Sequence, residues 1–402
     1  MAAENSDVVV VGGGPAGMMT GYLLARAGVS VTVLEKHADF FRDFRGDTVH
    51  PSTMQILDEL GLLERFLQRP HNRIDRAEVN WNGRALELGD LSHLNMPAPF
   101  IAMMPQWEFL DFLRMEGAKL PEFSVRMSAP ASNFVEQQGR IAGVKLSDGS
   151  VLQARLTIAC DGRTSLVRGL LPIESLGAPI DVFWFAVPKQ SAGQALRAVV
   201  AGERLIVMID RGDYWQCAFV IAKGGAEAIT ARGIAAFRAD VLAAASELTG
   251  LETALADWDK VSLLAVSLDR LTQWSRPGLL AIGDAAHAMS PVGGIGINLA
   301  IQDAVAAANV LALPLSRGEP VDGLLGLVQA RRWLPTRLVQ GAQRAAHERL
   351  LRPLIEGRAT VPVEPPWPLR LLNRFPLLRR IPGYMIGHGF RQEHVQSPRA
   401  DD

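Results

Sequence analysis

The sequence predicts an α/β protein. A doubly wound, Rossmann-like domain with a parallel sheet is interrupted by a smaller mixed or antiparallel sheet and followed by C-terminal helices. Three observations predict it. Residues 7–11 (Asp-Val-Val-Val-Val) form a β-branched run of the kind that fills a strand buried on both faces. That run leads straight into Gly12-Gly13-Gly14-Pro15-Ala16-Gly17, a helical pattern over 18–28, and a second buried strand over 29–34 that ends on Glu35. At 402 residues the chain also exceeds one ordinary core, so two domains are expected.

The opening unit is a G-x-G-x-x-G pattern with a strand before it, a helix after it and a carboxylate at the end of the next strand. Gly12 permits the tight turn, and Gly14 leaves room for a pyrophosphate to approach the backbone. Gly17 lets helix and strand pack closely. The helix N-terminus offers unpaired N–H groups to phosphates, and Glu35 is placed to accept hydrogen bonds from a ribose.

A helix is expected to begin near Ser52, with a break at Leu60-Gly61. Residues 74–81 and 84–88 read as short strands around an Asn82-Gly83 hairpin turn, and 100–104 as another strand. Pro105-Gln106 opens a helix. Strand-like alternation over 123–146, with turns at Gln138-Gly139 and 147–149, precedes a buried strand over 151–159 that ends at Cys160-Asp161-Gly162-Arg163. From 171 the texture becomes antiparallel, with strands over 181–187, 204–210, 214–221 and 261–268 and a helical stretch over 227–245. A buried strand over 278–282 then ends at Gly283-Asp284, a long helix covers 296–313, and an Arg-rich helical stretch covers 324–350. The expected division is a nucleotide-binding domain over 1–70, 105–170 and 270–320, a second domain over 71–104 and 171–269, and C-terminal helices and tail over 321–402. In that tail Trp367, Leu371, Phe375, Leu377 and Leu378 alternate with Arg and Pro. Three readings stand for it: a packed cap, a dimer contact, or a membrane-surface patch.

Composition narrows the function. The chain is 48% hydrophobic and 21% charged with a formal charge of −1, which argues against a nucleic-acid partner. Its two cysteines, Cys160 and Cys217, sit in apolar segments and read as buried thiols rather than a disulfide framework. No signal peptide, membrane-spanning segment or metal-ligand cluster is read, so a cytoplasmic protein, monomer or homodimer, is expected.

Taken together, the first glycine motif with Glu35, the Asp161-Gly162-Arg163 segment with Arg168, and Gly283-Asp284-Ala285-Ala286-His287 running on through Ser290-Pro291-Val292-Gly293-Gly294-Ile295-Gly296-Ile297-Asn298 to Asp303 resemble flavin-dependent aromatic monooxygenases of the para-hydroxybenzoate hydroxylase type. The resemblance is clear over 7–170 and 270–315. It implies a glutathione-reductase-type FAD-binding domain and FAD held by Gly12, Gly14, Pro15, Ala16, Gly17, Glu35, Lys36, Arg45, Gln106, Asp161, Asp284, Pro291, Gly294, Gly296, Ile297 and Asn298. Asp284 resembles the aspartate that holds the ribityl chain. The loop 291–296 resembles the one beside the isoalloxazine ring, with Pro291, Gly294 and Arg45 nearest the chemistry. Hydride from NADH or NADPH would reduce the flavin, and dioxygen would then give a C4a-hydroperoxide that transfers one oxygen atom to an aromatic or other electron-rich small molecule. Trp184, Tyr214 and Trp215, in the second domain's strands, are candidates for the substrate wall alongside Pro291, with core packing as their other reading. The rival readings are an FAD-dependent reductase or halogenase of the same fold, a quinone or lipid-precursor hydroxylase, and a non-catalytic flavin-binding scaffold. The Trp-x-Trp-x-Ile-Pro segment and early lysine of the tryptophan halogenases are not seen.

Overall fold

The computed structural model describes residues 4–41, 48–189, 196–355 and 364–400. At its centre, parallel strands lie in the order Phe123–Arg126, Val31–Leu34, Glu4–Val11, Val151–Ala159 and Leu279–Ala281. Val10 stands opposite Val33 on one side and Ile158 on the other. The run of valines is explained by burial on both faces. Val8 and Val10 pack towards the helices Pro15–Arg26 and Gly296–Ser316. Val9 and Val11 pack towards Val144, Leu146 and Leu152 of an antiparallel meander that continues from Val151–Ala159 through Arg140–Leu146 to Ala131–Gln137. Gln138 and Gly139 (φ 50° and 76°) and Asn82 and Gly83 (φ 48° and 85°) have the positive φ pair of tight hairpin turns.

The second layer is a seven-stranded sheet in the order Ser262–Leu264, Ile180–Pro188, Tyr214–Ala222, Arg204–Asp210, Leu196–Ala201, Arg76–Trp81, Arg84–Asp90. Its strands alternate in direction except where Leu196–Ala201 runs parallel to Arg76–Trp81 and joins two distant stretches of chain. Leu196–Ala201 is a strand that the sequence reading omits. The strand expected over 261–268 is shorter, Ser262–Leu264, because the Asp181–Lys223 pair captures the backbone beyond it. Val266 N–H donates to Asp181 Oδ1 at 2.9 Å, and its carbonyl accepts from Lys223 Nζ at 2.7 Å. The helical stretch over 227–245 is two helices, Ala226–Ala231 and Ile234–Ala244, separated by Gly233 at φ +87°.

One face of this sheet is closed by Phe237, whose ring meets Phe183, Phe185 and Phe219 edge-on at 5.4–5.7 Å. The other face, with Ile180, Val182, Trp184 and Ala218, packs towards Leu91, Leu94, Ile101 and Met103 and is touched by Val292 of the glycine-rich loop. Helix Leu325–Ala346 crosses Gly296–Ser316 and continues through a π-helical segment, His347–Leu351, to Arg352–Ile355. Helices Trp367–Arg374 and Arg380–His388 pack on strand Arg84–Asp90. The chain then returns to the end of helix Pro15–Arg26, where Ala400 N–H bonds Arg26 O at 2.9 Å. Both cysteines are buried, and burial raises both thiol pKa values, so neither is poised as a thiolate. Residues 292–316 are apolar and long enough to cross a membrane by composition, but the stretch is 72% buried within the fold.

Candidate active site

Three loops meet at the carboxyl ends of the parallel strands, where a doubly wound sheet offers its crevice. The first is the glycine turn. A Cβ on Gly12 (φ +106°) would lie 2.5 Å from Cys160 O and 2.8 Å from Asp161 Cα. One on Gly17 would lie 1.9 Å from Gly12 O. Gly14 differs from both, because a Cβ there would meet nothing within 4 Å. Its φ of −75° is open to any residue, so protein packing does not demand glycine at that position. Gly14 is the N-cap of Pro15–Arg26 and no side chain caps that helix, so its first N–H groups face open space. Glu35 is held at the edge of the turn by Gly13 N–H at 3.2 Å and His37 N–H at 3.0 Å. Lys36 is exposed beside it.

The second loop carries Asp161. Leu166 N–H donates to its Oδ2 at 3.1 Å, and burial raises its pKa against that bond and the Ser165 hydroxyl. From the same loop Arg163 reaches across to Asp284 Oδ2 (3.2 Å) and Met289 O (2.8 Å). Arg168 donates to Asp284 O at 2.9 Å and forms an ion pair with Asp269 Oδ1 at 2.8 Å. These two arginines fix the third loop. Neither was singled out as a site residue by sequence, although both lie within the middle motif.

The third loop begins at Gly283, where a Cβ would meet Ala16 Cβ at 3.0 Å and Ala300 Cβ at 3.3 Å, so the two helices that flank the crevice touch through this glycine. Pro291–Gly294 follows as a turn with Gly293 and Gly294 at φ +82° and +61°. A Cβ on Gly294 would be 2.4 Å from Thr48 Oγ1, which donates to Gly294 O at 2.7 Å. Helix Gly296–Ser316 then starts without a side-chain cap, leaving the backbone N–H groups of Gly296, Ile297 and Asn298 without a partner a turn earlier. The Asn298 side chain is 4% exposed and occupied by protein. Its Oδ1 accepts from His50 N–H and Thr53 Oγ1, both at 2.8 Å, and its Nδ2 donates to Thr48 O and Gly294 O. Thr48 and His50 are parts of the site that sequence reasoning missed, since no local pattern ties them to a loop some 240 residues on.

Gln106 opens helix Gln106–Gly117, which packs on the first helix. Arg45 lies outside the described residues. In the second layer, pleat alternation separates the aromatic candidates. Trp184 pairs with Ala218, and Tyr214 with Pro188, on the face towards the glycine loop. Trp215 pairs with Val187 on the opposite face, in the Phe237 cluster, with Lys189 Nζ 5.0 Å from its ring centre. Trp215 is therefore corrected to a core residue of the outer face.

Behind the glycine loop lies a cavity of about 230 Å³ lined by His50, Val292, Leu299, Val339 and Met385 among others. His50 is 1% exposed and its Nδ1 faces Ile386 O at 3.2 Å, the arrangement of a neutral ring protonated at Nδ1. Burial, partly offset by that bond, lowers its pKa to about 4. Between the ordinary value of 6.5 and about 4 the unfolded chain therefore binds this proton and the folded chain does not. Stability conferred by the neutral ring is complete above pH 6.5 and falls as pH drops to about 4, by about 3 kcal/mol in all. Urea unfolding at pH 7 and pH 5 is expected to show a smaller acid loss for His50→Gln than for wild type. Equal losses would remove His50 from the account.

The arrangement has the bare glycine turn and uncapped helix ends that a dinucleotide requires. The profile of the family described as "FAD binding domain" matches residues 5–342. The chain is 33% identical over 386 residues to the 6-methylpretetramide 4-monooxygenase of Streptomyces rimosus, covering 94% of this chain and 91% of that one. It is 29% identical over 333 residues to a rifampicin monooxygenase of Streptomyces venezuelae, covering 81% and 68%. Among solved structures, pqsL of Pseudomonas aeruginosa, described as a probable FAD-dependent monooxygenase, shares the fold at a TM-score of 0.73 and 23% identity, over 88% of this chain and 99% of that one. The chain thus belongs to the FAD-binding-domain family of flavin-dependent aromatic monooxygenases.

Proposed function

We propose that this monooxygenase draws electrons from NADH or NADPH and hydroxylates an aromatic or other electron-rich small molecule. One observation carries the reading. Val292 of the glycine loop packs on the Trp184 face of the seven-stranded sheet, so the loop suited to a flavin ring and an apolar, aromatic wall suited to a substrate adjoin. Bound FAD supplies the electron transfer from nicotinamide to dioxygen.

The chain's own groups have separable tasks. The N–H groups after Gly14 receive the pyrophosphate, and Gly14 is bare so that it can approach. Glu35, fixed by two backbone N–H groups, accepts from the adenosine ribose. Asp284, held by Arg163, accepts from the ribityl hydroxyls, with Asp161 and Gln106 flanking. The N–H groups of Gly296, Ile297 and Asn298, with the positive end of a 21-residue helix behind them, stabilise negative charge at the pyrimidine edge of the ring. Pro291, Gly293 and Gly294 shape the ring's seat. Trp184 and Tyr214 orient the substrate, and the apolar sheet face excludes water. The role of Arg45 rests on the sequence resemblance alone.

The test is a screen of phenols and fused aromatics with purified, yellow enzyme. It scores NADH and NADPH oxidation, peroxide, and a mass gain of one oxygen in the product. Substrate-stimulated oxidation coupled to that mass gain is expected. Nicotinamide oxidation without oxygen insertion across the screen would favour a reductase and overturn the proposal, and FAD-bound protein that oxidises no nicotinamide would favour a non-catalytic flavin-binding scaffold.

A further inference from the structure

We propose that helices Trp367–Arg374 and Arg380–His388 form an interfacial surface that docks the enzyme on an anionic membrane. Both helices leave bulky apolar side chains towards solvent. In the first, Leu369 packs by Trp81 and Leu86 while Asn373 hydrogen-bonds both backbone groups of Glu87. Trp367 (70% exposed) and Leu371 point away. In the second, the buried residues are Gly383 and Gly387. A Cβ on Gly383 would sit 1.9 Å from Asp90 O, so this side has no room for bulk. Ile381 and Tyr384, at i and i+3, are exposed on the other side, and Met385, which also lines the cavity behind the glycine loop, is half-exposed. Phe375 and Leu377, in the link between the helices, are exposed as well. An apolar face this large on a chain whose interior is otherwise well packed needs a cover.

Charge selects the cover. Between 365 and 392 there are five arginines and no carboxylate. From 321 onward, 13 arginines stand against seven carboxylates, in a chain whose total is −1. Arg370, Arg374 and Arg380 are exposed beside the apolar residues, where their stems can lie along an interface while the guanidinium groups reach phosphates. A two-fold contact with a second copy would set the same arginine-rich patch, whose neighbouring carboxylates Glu87 and Glu364 are already paired with Arg379 and Arg84, against itself. Anionic headgroups complement it instead, and aromatic residues of the Trp367 and Tyr384 kind favour the headgroup level.

The experiment uses the full-length, FAD-loaded enzyme and co-sedimentation with vesicles of phosphatidylcholine alone or with one part phosphatidylglycerol in three. Binding to the phosphatidylglycerol vesicles that weakens at high salt is expected, with little binding to phosphatidylcholine. Replacing Arg370, Arg374 and Arg380 by Gln should weaken partitioning about a hundredfold at low salt, about fivefold per arginine. Leu371→Glu with Ile381→Glu should weaken it at least about tenfold. These side chains are exposed, so melting temperature and FAD content should not change and a folding defect would be visible. Wild type that ignores phosphatidylglycerol, or variants that bind as it does, would overturn the proposal. So would a wild-type dimer, by analytical ultracentrifugation, that Leu371→Glu with Ile381→Glu splits without any vesicle binding, which would assign the face to a second copy.

Discussion

Gly14→Val should fold and purify colourless, while Gly17→Val should fail before the cofactor matters. At Gly14 the added side chain enters space that no protein atom within 4 Å of its Cβ contests, on a backbone with ordinary φ. The apoprotein's melting temperature should therefore stay within a degree or two of wild-type apoprotein. FAD affinity should drop at least about a hundredfold, because the pyrophosphate must approach that backbone. At Gly17 the first added carbon would sit 1.9 Å from Gly12 O, a backbone atom in a turn already pinned by its approach to Cys160. Strand and helix must separate, at a cost of about 3 kcal/mol or more and with the pyrophosphate seat lost as well. Absorbance of the purified proteins at 450 nm against 280 nm, with thermal melts of the apo forms, reads both effects. A Gly14→Val enzyme that stays yellow at wild-type affinity would remove the phosphates from this turn.

That contrast also shows where the sequence is informative. A glycine motif, a β-branched run and an Asn-Gly turn are local patterns, and each appears where its spacing indicates. The exposure of alternate residues is also local, and it makes Tyr214 and Trp215 incompatible as neighbours on one wall, since adjacent residues in a strand face opposite ways. The sequence carries that constraint, but not which of the two faces meets the flavin loop. Leu196–Ala201 is strand because Arg76–Trp81 and Arg204–Asp210 flank it, and the first of these lies far earlier in the chain. The bonds from Thr48 and His50 to the glycine loop and Asn298 are of the same kind. They arise from a contact across about 250 residues and from no motif. The interleaving of apolar residues with Arg and Pro in the C-terminal tail is legible in the sequence, but the helices Trp367–Arg374 and Arg380–His388 are not. Which side would face the protein depended on Gly383 meeting the Asp90 carbonyl.

Asp303→Ala should be the most destabilising single change away from the glycines. Asp303 is 0% exposed and binds three partners at once. Its Oδ2 accepts from Gly283 N–H at 3.1 Å and lies 2.6 Å from His287 Nε2, while its Oδ1 accepts from Arg332 Nε at 2.9 Å. Arg332 is 1% exposed and continues to Glu393 Oε1 and Arg391 O, so the flavin loop, the crossing helix and the C-terminal segment are tied through one carboxylate. Burial alone would push the Asp303 pKa up, but the charges of His287 and Arg332 and their hydrogen bonds outweigh it and hold the pKa below its ordinary value. The sign follows from that direction. The unfolded chain binds the proton more readily, so the stabilisation is complete above the ordinary aspartate range and is lost as pH falls through the lower folded value. Removing the carboxylate strands a buried guanidinium and frees the Gly283–Asp284 turn. The expected cost is about 3–5 kcal/mol at pH 7, with faster release of FAD. Asp303→Asn keeps the shape and some hydrogen bonds but not the charge, and should fall between alanine and wild type. Urea unfolding at pH 7 and about pH 3, below the ordinary aspartate value, separates the terms. The deficit of Asp303→Ala relative to wild type should narrow towards acid, because wild type itself is losing that contribution. A loss under about 1 kcal/mol at pH 7 would mean that helix packing alone holds the flavin loop, and that the buried ion network contributes little to it.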